Sequence, residues 1–173
     1  MADVVARATQ PALGAIKLAW WRERLRELDE GKVPAEPRLQ AAAEELLPRG
    51  IKGADLSEIE DGWLTLLEEV PDPERIAARG NLLFALAARL LGVDDARVVQ
   101  SGGLFAVADV LRRSLRPELP SPEIPKGSMP RRARPVTALA ALAARDVGGP
   151  PFELEATPGR AWALIRHRFT GRL

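Results

Sequence analysis

The sequence predicts an all-α protein, a single-domain bundle of about seven helices. Three observations predict it. Apolar residues recur at steps of three and four along nearly the whole chain. Prolines and glycines fall between those periodic stretches, where helices start and stop. No apolar/polar alternation is long enough for a strand, and no internal repeat is evident.

The elements follow in order. A first short helix begins close to Met1 and carries Asp3 and Arg7. Leu18, Trp21, Leu25 and Leu28 form one face of the next, which stops at Gly31. Leu39, Ala43, Leu46 and Leu47 repeat the step up to Pro48. Asp55 with Glu58 three residues on reads as an N-cap and capping box, opening a helix that buries Leu56, Ile59, Trp63 and Leu66. Asp72-Pro73 is a cap followed by proline at the first helical position, where its missing N–H does no harm. The helix it starts runs through Ile76, Leu83, Phe84, Ala87 and Leu91 to Gly92. Asp94 caps a further helix through Val98, Leu104, Val107, Leu111 and Leu115, ending at Pro117. Five prolines in the fourteen positions 117–130 exclude helix there and predict an extended loop. Helical spacing returns at Val136, Leu139 and Leu142 and stops at Gly148-Gly149. Thr157-Pro158 caps the last helix, with Trp162, Ile165 and Phe169 on its apolar face. Trp20, Trp21, Trp63 and Trp162 are all expected in the core.

Composition narrows the chemistry. With 173 residues, 46% apolar and 28% charged, the chain can bury a core without covalent staples. The absence of cysteine excludes disulfides, thiolate metal sites and thiol nucleophiles. A single histidine, His167, excludes a histidine-rich metal cluster, and its place near a helix end predicts a dipole partner rather than a base. No apolar run reaches about 18 residues and no signal pattern opens the chain, so a cytoplasmic protein, with peripheral membrane association open, is expected. The net charge of +1 hides a segregation. Residues 1–111 carry 13 Lys/Arg against 19 Asp/Glu (−6), and residues 112–173 carry 12 against 5 (+7). A basic third of this kind can meet a diphosphate, an anionic membrane, nucleic acid, or the acidic part of its own fold. Nucleic acid is not expected as a partner, because aromatics there are few and no recognition motif is present.

The run from Pro11 to Leu25, with Ile16-Lys17-Leu18-Ala19-Trp20-Trp21-Arg22 at its centre and Gly31-Lys32-Val33-Pro34 after it, resembles a signature of the squalene/phytoene synthase family. Arg79-Gly80-Asn81 through Leu91-Gly92 is similar to that family's small-residue helix. Gly102-Gly103 through Arg112 is similar to the helix carrying its second aspartate motif, and Arg168-Phe169-Thr170-Gly171-Arg172-Leu173 to the tails of small bacterial members. The likeness covers most of the chain, and it implies a reduced isoprenoid synthase fold that lacks the family's opening helices. It also implies either a shortened paralogue or a start codon upstream of Met1.

What the resemblance implies for chemistry turns on aspartates. Active members join two prenyl diphosphates, with facing Asp-x-x-x-Asp pairs holding Mg²⁺ against the leaving diphosphate. On the second motif, the arginine position matches Arg112, the two aspartate positions fall on Arg113 and Pro117, and the asparagine position on Asp109. On the first, Asp3 and Arg7 hold the four-residue spacing. A guanidinium and a proline ring cannot ligate Mg²⁺, so Asp3 and Asp109 are remnants, and no metal ligands and no catalytic residues are expected. Glu44-Glu45, Glu68-Glu69, Asp94-Asp95 and the Asp55, Glu58, Asp61 set read as capping residues and solvated faces. Arg112, Arg113 and Arg116 are the candidate diphosphate-binding residues, through bidentate contacts. Against this, Asp109 can pair with Arg112 or Arg113 at i+3 or i+4, contributing about 0.2–0.5 kcal/mol per pair.

The expected function is therefore a catalytically degenerate member that binds an isoprenoid diphosphate, a membrane surface or an assembly partner, with no cofactor. The last has precedent in a family member implicated in respiratory complex I assembly. The alternative is an active Mg²⁺-dependent prenyltransferase of isoprenoid, carotenoid or hopanoid biosynthesis, completed by upstream residues or a partner chain.

Overall fold

The computed structural model of the chain describes residues 1–147 and 152–173. Among these, nine α-helices and four short 3₁₀ turns make an all-helical protein with no strand. The helices group into two compact units, Met1–Arg75 and Ile76–Leu173.

The first unit holds α1 (Ala2–Ala6), α2 (Pro11–Leu28), α3 (Pro37–Glu45), α4 (Gly53–Ser57) and α5 (Asp61–Leu64). Prolines open α2 and α3 at their first helical positions, as their fixed φ favours. Leu25, Leu28, Leu39 and Ala42 form a buried cluster, with Trp21, Leu46, Leu47 and Leu56 packed against it. α2 lies on α4 so closely that a Cβ on Gly53 would collide with the Leu25 carbonyl. The cap of α4 comes from a distance: Gly53 N and Ala54 N donate to the two carboxylate oxygens of Asp29 at 2.7 and 2.8 Å. Asp55 is thus not the N-cap that the sequence predicts. It stands at the third helical position and accepts from Lys52 N at 3.4 Å. The single helix expected over 55–66 is a chain of short turns, α4, Glu58–Glu60, α5 and Thr65–Leu67. Arg75 fixes their far end with bonds to Asp61 (2.6 Å) and Glu68 (2.7 Å), and holds the Asp61 carboxyl below the usual carboxylate range.

α6 (Pro73–Leu91) is capped by Asp72, which accepts from Glu74 N at 2.8 Å, and ends at Gly92 with φ +62°. The second unit continues with α7 (Ala96–Arg112), α8 (Arg134–Asp146) and α9 (Pro158–Thr170). The cap of α7 is Asp95, one residue beyond the predicted Asp94, with its side chain accepting from Arg97 N at 2.9 Å. α6 and α7 meet through Gly80 and Gly102: a Cβ on either would collide with the other's carbonyl. Asn81 Oδ1 accepts from Gly103 N beside them, at 2.8 Å. Further along, Phe84, Leu104, Ala108, Ala140 and Ala143 form a core, with Phe105, Val136 and Ala144 packed against it. A second cluster joins Ala88, Val98, Met129 and Ala133. The proline-rich segment 117–130 is a loop, as expected, and returns to the core through Met129, whose N–H donates to Gly171 O at 2.8 Å.

Several predicted core residues face outward instead. Trp162 is 65% exposed, Ile165 47%, Phe169 76% and Leu139 45%, and Trp20 is exposed beside a half-buried Trp21. The buried side of α9 is Arg160, Ala163 and His167, and that of α8 is Thr137, Ala140, Ala141, Ala143 and Asp146. The predicted Gly148-Gly149 stop lies outside the described residues.

Candidate functional site

Small apolar residues carry α7 down to Val110, and arginines follow. The helix stops at Arg112 rather than running to Pro117. Ser114 takes the left-handed conformation with φ +53°, while Ser114 N donates to Leu111 O (2.9 Å) and Leu115 N to Val110 O (3.2 Å). These are the two bonds of a Schellman ending, with serine where glycine is usual.

Each of the three candidate arginines faces a carboxylate. Arg112 is half-buried and fully engaged: Nη1 donates to Asp146 at 3.1 Å, Nε to Glu155 at 3.0 Å, and Nη2 to the Glu153 carbonyl at 2.8 Å. Arg113 pairs with Asp109 at 2.8 Å, four residues back on the same helix. Arg116 lies 3.5 Å from Glu118. The structure brings Arg112 together with residues from two other elements and leaves Arg113 exposed beside Asp109.

The centre of the cluster is Asp146, at the end of α8 and only 6% exposed. Its Oδ1 accepts from Arg112 and, at 2.5 Å, from Arg160 of α9, which is itself 6% exposed. Glu155 closes the set, 2.9 Å from Arg112 and 3.5 Å from Arg160. Two cations thus meet two anions across α7, α8, α9 and the segment before α9. Beside them, Glu153 pairs with Arg145 and accepts from Thr157, and these contacts hold its carboxyl below the usual range. An open cavity of about 230 Å³ adjoins the network, lined by Phe105, Asp109, Arg112, Leu142, Asp146 and Arg160.

This arrangement does not fit a Mg²⁺ cluster. Asp109 is held by Arg113, and the nearby α6 residue Arg79 is a further buried cation whose guanidinium burial pushes down to about 10. Arg79 Nη2 donates to Ala106 O at 3.2 Å. Asp3, the other carboxylate that the resemblance singles out, is exposed in the first turn of α1. Among the described residues, no group of three or more His, Asp or Glu is arranged to hold a metal ion. What the cluster does is mechanical: Asp146, largely removed from solvent, pairs with Arg112 and Arg160 and so ties α7, α8 and α9 together.

His167 is buried at 1% exposure, not at a solvated helix end. Nδ1 stands 2.9 Å from Arg172 O, and Nε2 stands 2.9 Å from Thr137 Oγ1. A carbonyl only accepts, so Nδ1 carries a proton. Thr137 Oγ1 also lies 3.1 Å from Ala133 O, to which it donates. The ring ties α8 to the carboxy-terminal tail.

Sequence reasoning missed Asp146, Arg160, Glu155 and Arg79. Their spacing carries little signal, since the bonds that Asp146 and Arg112 make join residues 14, 34 and 43 positions apart. No family model, curated protein or solved structure matches the chain.

Proposed function

We propose that this chain is a non-catalytic binding protein on a squalene/phytoene synthase-like scaffold. The observation that carries the reading is the state of the α7 ending. Asp109, the carboxylate left where the family would hold metal, pairs with Arg113, and Arg112 is committed to Asp146 and Glu155. Ionising an allylic diphosphate requires concentrated positive charge against the leaving group. Charges already neutralised by one another supply little of it.

The same pairing bears on the partner. An isoprenoid diphosphate at Arg112 would have to displace two carboxylates and a backbone carbonyl, so it is the least favoured of the three partners. A membrane surface or an assembly protein asks nothing of these arginines. The test is pyrophosphate release from farnesyl and geranylgeranyl diphosphate by the full chain with Mg²⁺. Release at the background rate is expected. A rate above background that Mg²⁺ chelation abolishes would overturn the reading.

A further inference from the structure

α9 is turned inside out. Its buried side is two polar residues and an alanine, Arg160, Ala163 and His167, while Trp162, Ile165 and Phe169 face solvent. The three recur at steps of three and four, so they form one continuous stripe along the helix. With about 100° between successive residues, Arg166 falls on one flank of that stripe and Arg168 on the other. An exposed, aligned aromatic and aliphatic ridge of this kind marks an interaction surface.

We infer that the outer face of α9 docks on an anionic phospholipid membrane, with Trp162, Ile165 and Phe169 entering the interface and Arg131, Arg166 and Arg168 meeting lipid phosphates. This deepens the binding reading above, on which it rests only in looking for a surface rather than a reaction chamber. Charge decides the occupant. On one side of the ridge, an open groove of about 510 Å³ between α8 and α9 is lined by Arg131, Arg134 and Arg168 together with Leu164 and Phe169. On the other, a groove of about 240 Å³ brings Arg166 beside Trp162 and Ile124. Arg131 and Arg168 have no ion pair among the described residues. Arg134, by contrast, is occupied in closing α9, with Nη1 donating to the Arg168 and Phe169 carbonyls at 2.8 and 3.0 Å. An apolar ridge between two cationic flanks is the pattern of a helix lying in the plane of a charged bilayer. A second copy fits poorly, because a two-fold contact along this ridge would bring its own arginines face to face. The outward stripe of α2, Leu13, Ile16 and Trp20, has no such preference. Its flanking charges are engaged within the fold: Arg22 pairs with Glu60 at 3.4 Å, Arg26 donates to Ser57 at 3.0 Å, and Glu23 pairs with Arg24 at 3.3 Å.

The experiment is sedimentation of the full chain with two kinds of vesicle: phosphatidylcholine alone, and equal parts phosphatidylcholine and phosphatidylglycerol. Partition onto the mixed vesicles should exceed that onto phosphatidylcholine by about tenfold or more and fall as salt rises. The double variant Ile165→Ser/Phe169→Ser should lower partition onto the mixed vesicles by about tenfold or more. Arg131→Glu/Arg168→Glu should remove the preference for anionic lipid. All four side chains are exposed, and unchanged circular dichroism and melting would show that both variants fold. Wild-type protein that stays in solution with the mixed vesicles overturns the assignment, as does equal partition by the Ser/Ser variant. A doubled mass in solution that the Ser/Ser variant halves, without vesicle binding, gives the face to a second copy and also overturns it. Pyrophosphate release measured on the same samples separates the two claims. Release with intact vesicle binding defeats the non-catalytic reading alone, and loss of vesicle binding without release defeats the membrane assignment alone.

Discussion

Where α6 crosses α7, two glycines bring the helix backbones into contact, and the core beside them is largely alanine. On the outer side of α9, two aromatic rings and an isoleucine stand in solvent. The same unit thus places its smallest residues where helices pack closest and several of its largest where nothing packs. The difference separates two kinds of apolar residue. Those at the crossing set helix distance and hence stability. Those on α9 contribute little to folding, because their apolar surface stays in solvent.

The comparison breaks most visibly at the buried charges that seat α9. Asp146→Ala leaves Arg160 buried beside only Glu155, and should cost about 3–5 kcal/mol in urea unfolding. A loss under about 1 kcal/mol would mean the network does not hold the helices. At the crossing, Gly102→Val forces a side chain into the Gly80 carbonyl and should cost about 3 kcal/mol or more in the same measurement. Ser114→Gly, at the left-handed end of α7, removes a conformational cost and should raise stability by about 0.5–1 kcal/mol. A drop in melting temperature would count against the strained ending. Phe169→Ser on the outer face should change stability by no more than about 0.5 kcal/mol, although it removes a whole ring. A large loss there would place Phe169 in the core and erase the contrast.

The smallest effect is on the acid limb. Hydrogen bonds from Arg75 and Arg97 hold Asp61 and Asp95 below the ordinary carboxylate range in the folded state. A depressed folded-state value contributes stability above the unfolded pKa, about 3.9, that is lost as pH falls through the folded one. Melting temperature should therefore drop between neutral pH and about pH 3. Asp95→Asn, which keeps a capping oxygen but loses the charge, should flatten the drop slightly. An unchanged profile would remove Asp95 from the account.

Helix placement was largely legible because its signals are local. The Asp72-Pro73 cap, the Gly92 ending, the proline loop and the Thr157-Pro158 start each act within one turn of chain. One misplacement has a distant cause. Asp29 caps α4 from 24 residues away, which displaces Asp55 from the role its spacing assigns. Of the site, Arg112, Arg113 and Arg116 were visible as a cluster, and the Asp109–Arg113 pair followed from i,i+4 geometry. That Arg112 belongs to Asp146 and Glu155, 34 and 43 residues on, was not.

The residues alone determined an all-helical chain, its punctuation, and a basic final third, because propensity, capping and charge are properties of neighbours. Which side of α9 turns inward belonged to tertiary structure. Both sides repeat with helical period, so pattern favours the larger side chains for the core. The space left by closely packed, alanine-rich helices admits Ala163, while paired Arg160 and hydrogen-bonded His167 are satisfied there, and the indole and phenyl rings go outside. Volume and pairing across the interface overrule hydrophobicity, and neither can be evaluated until the opposing helix is in place.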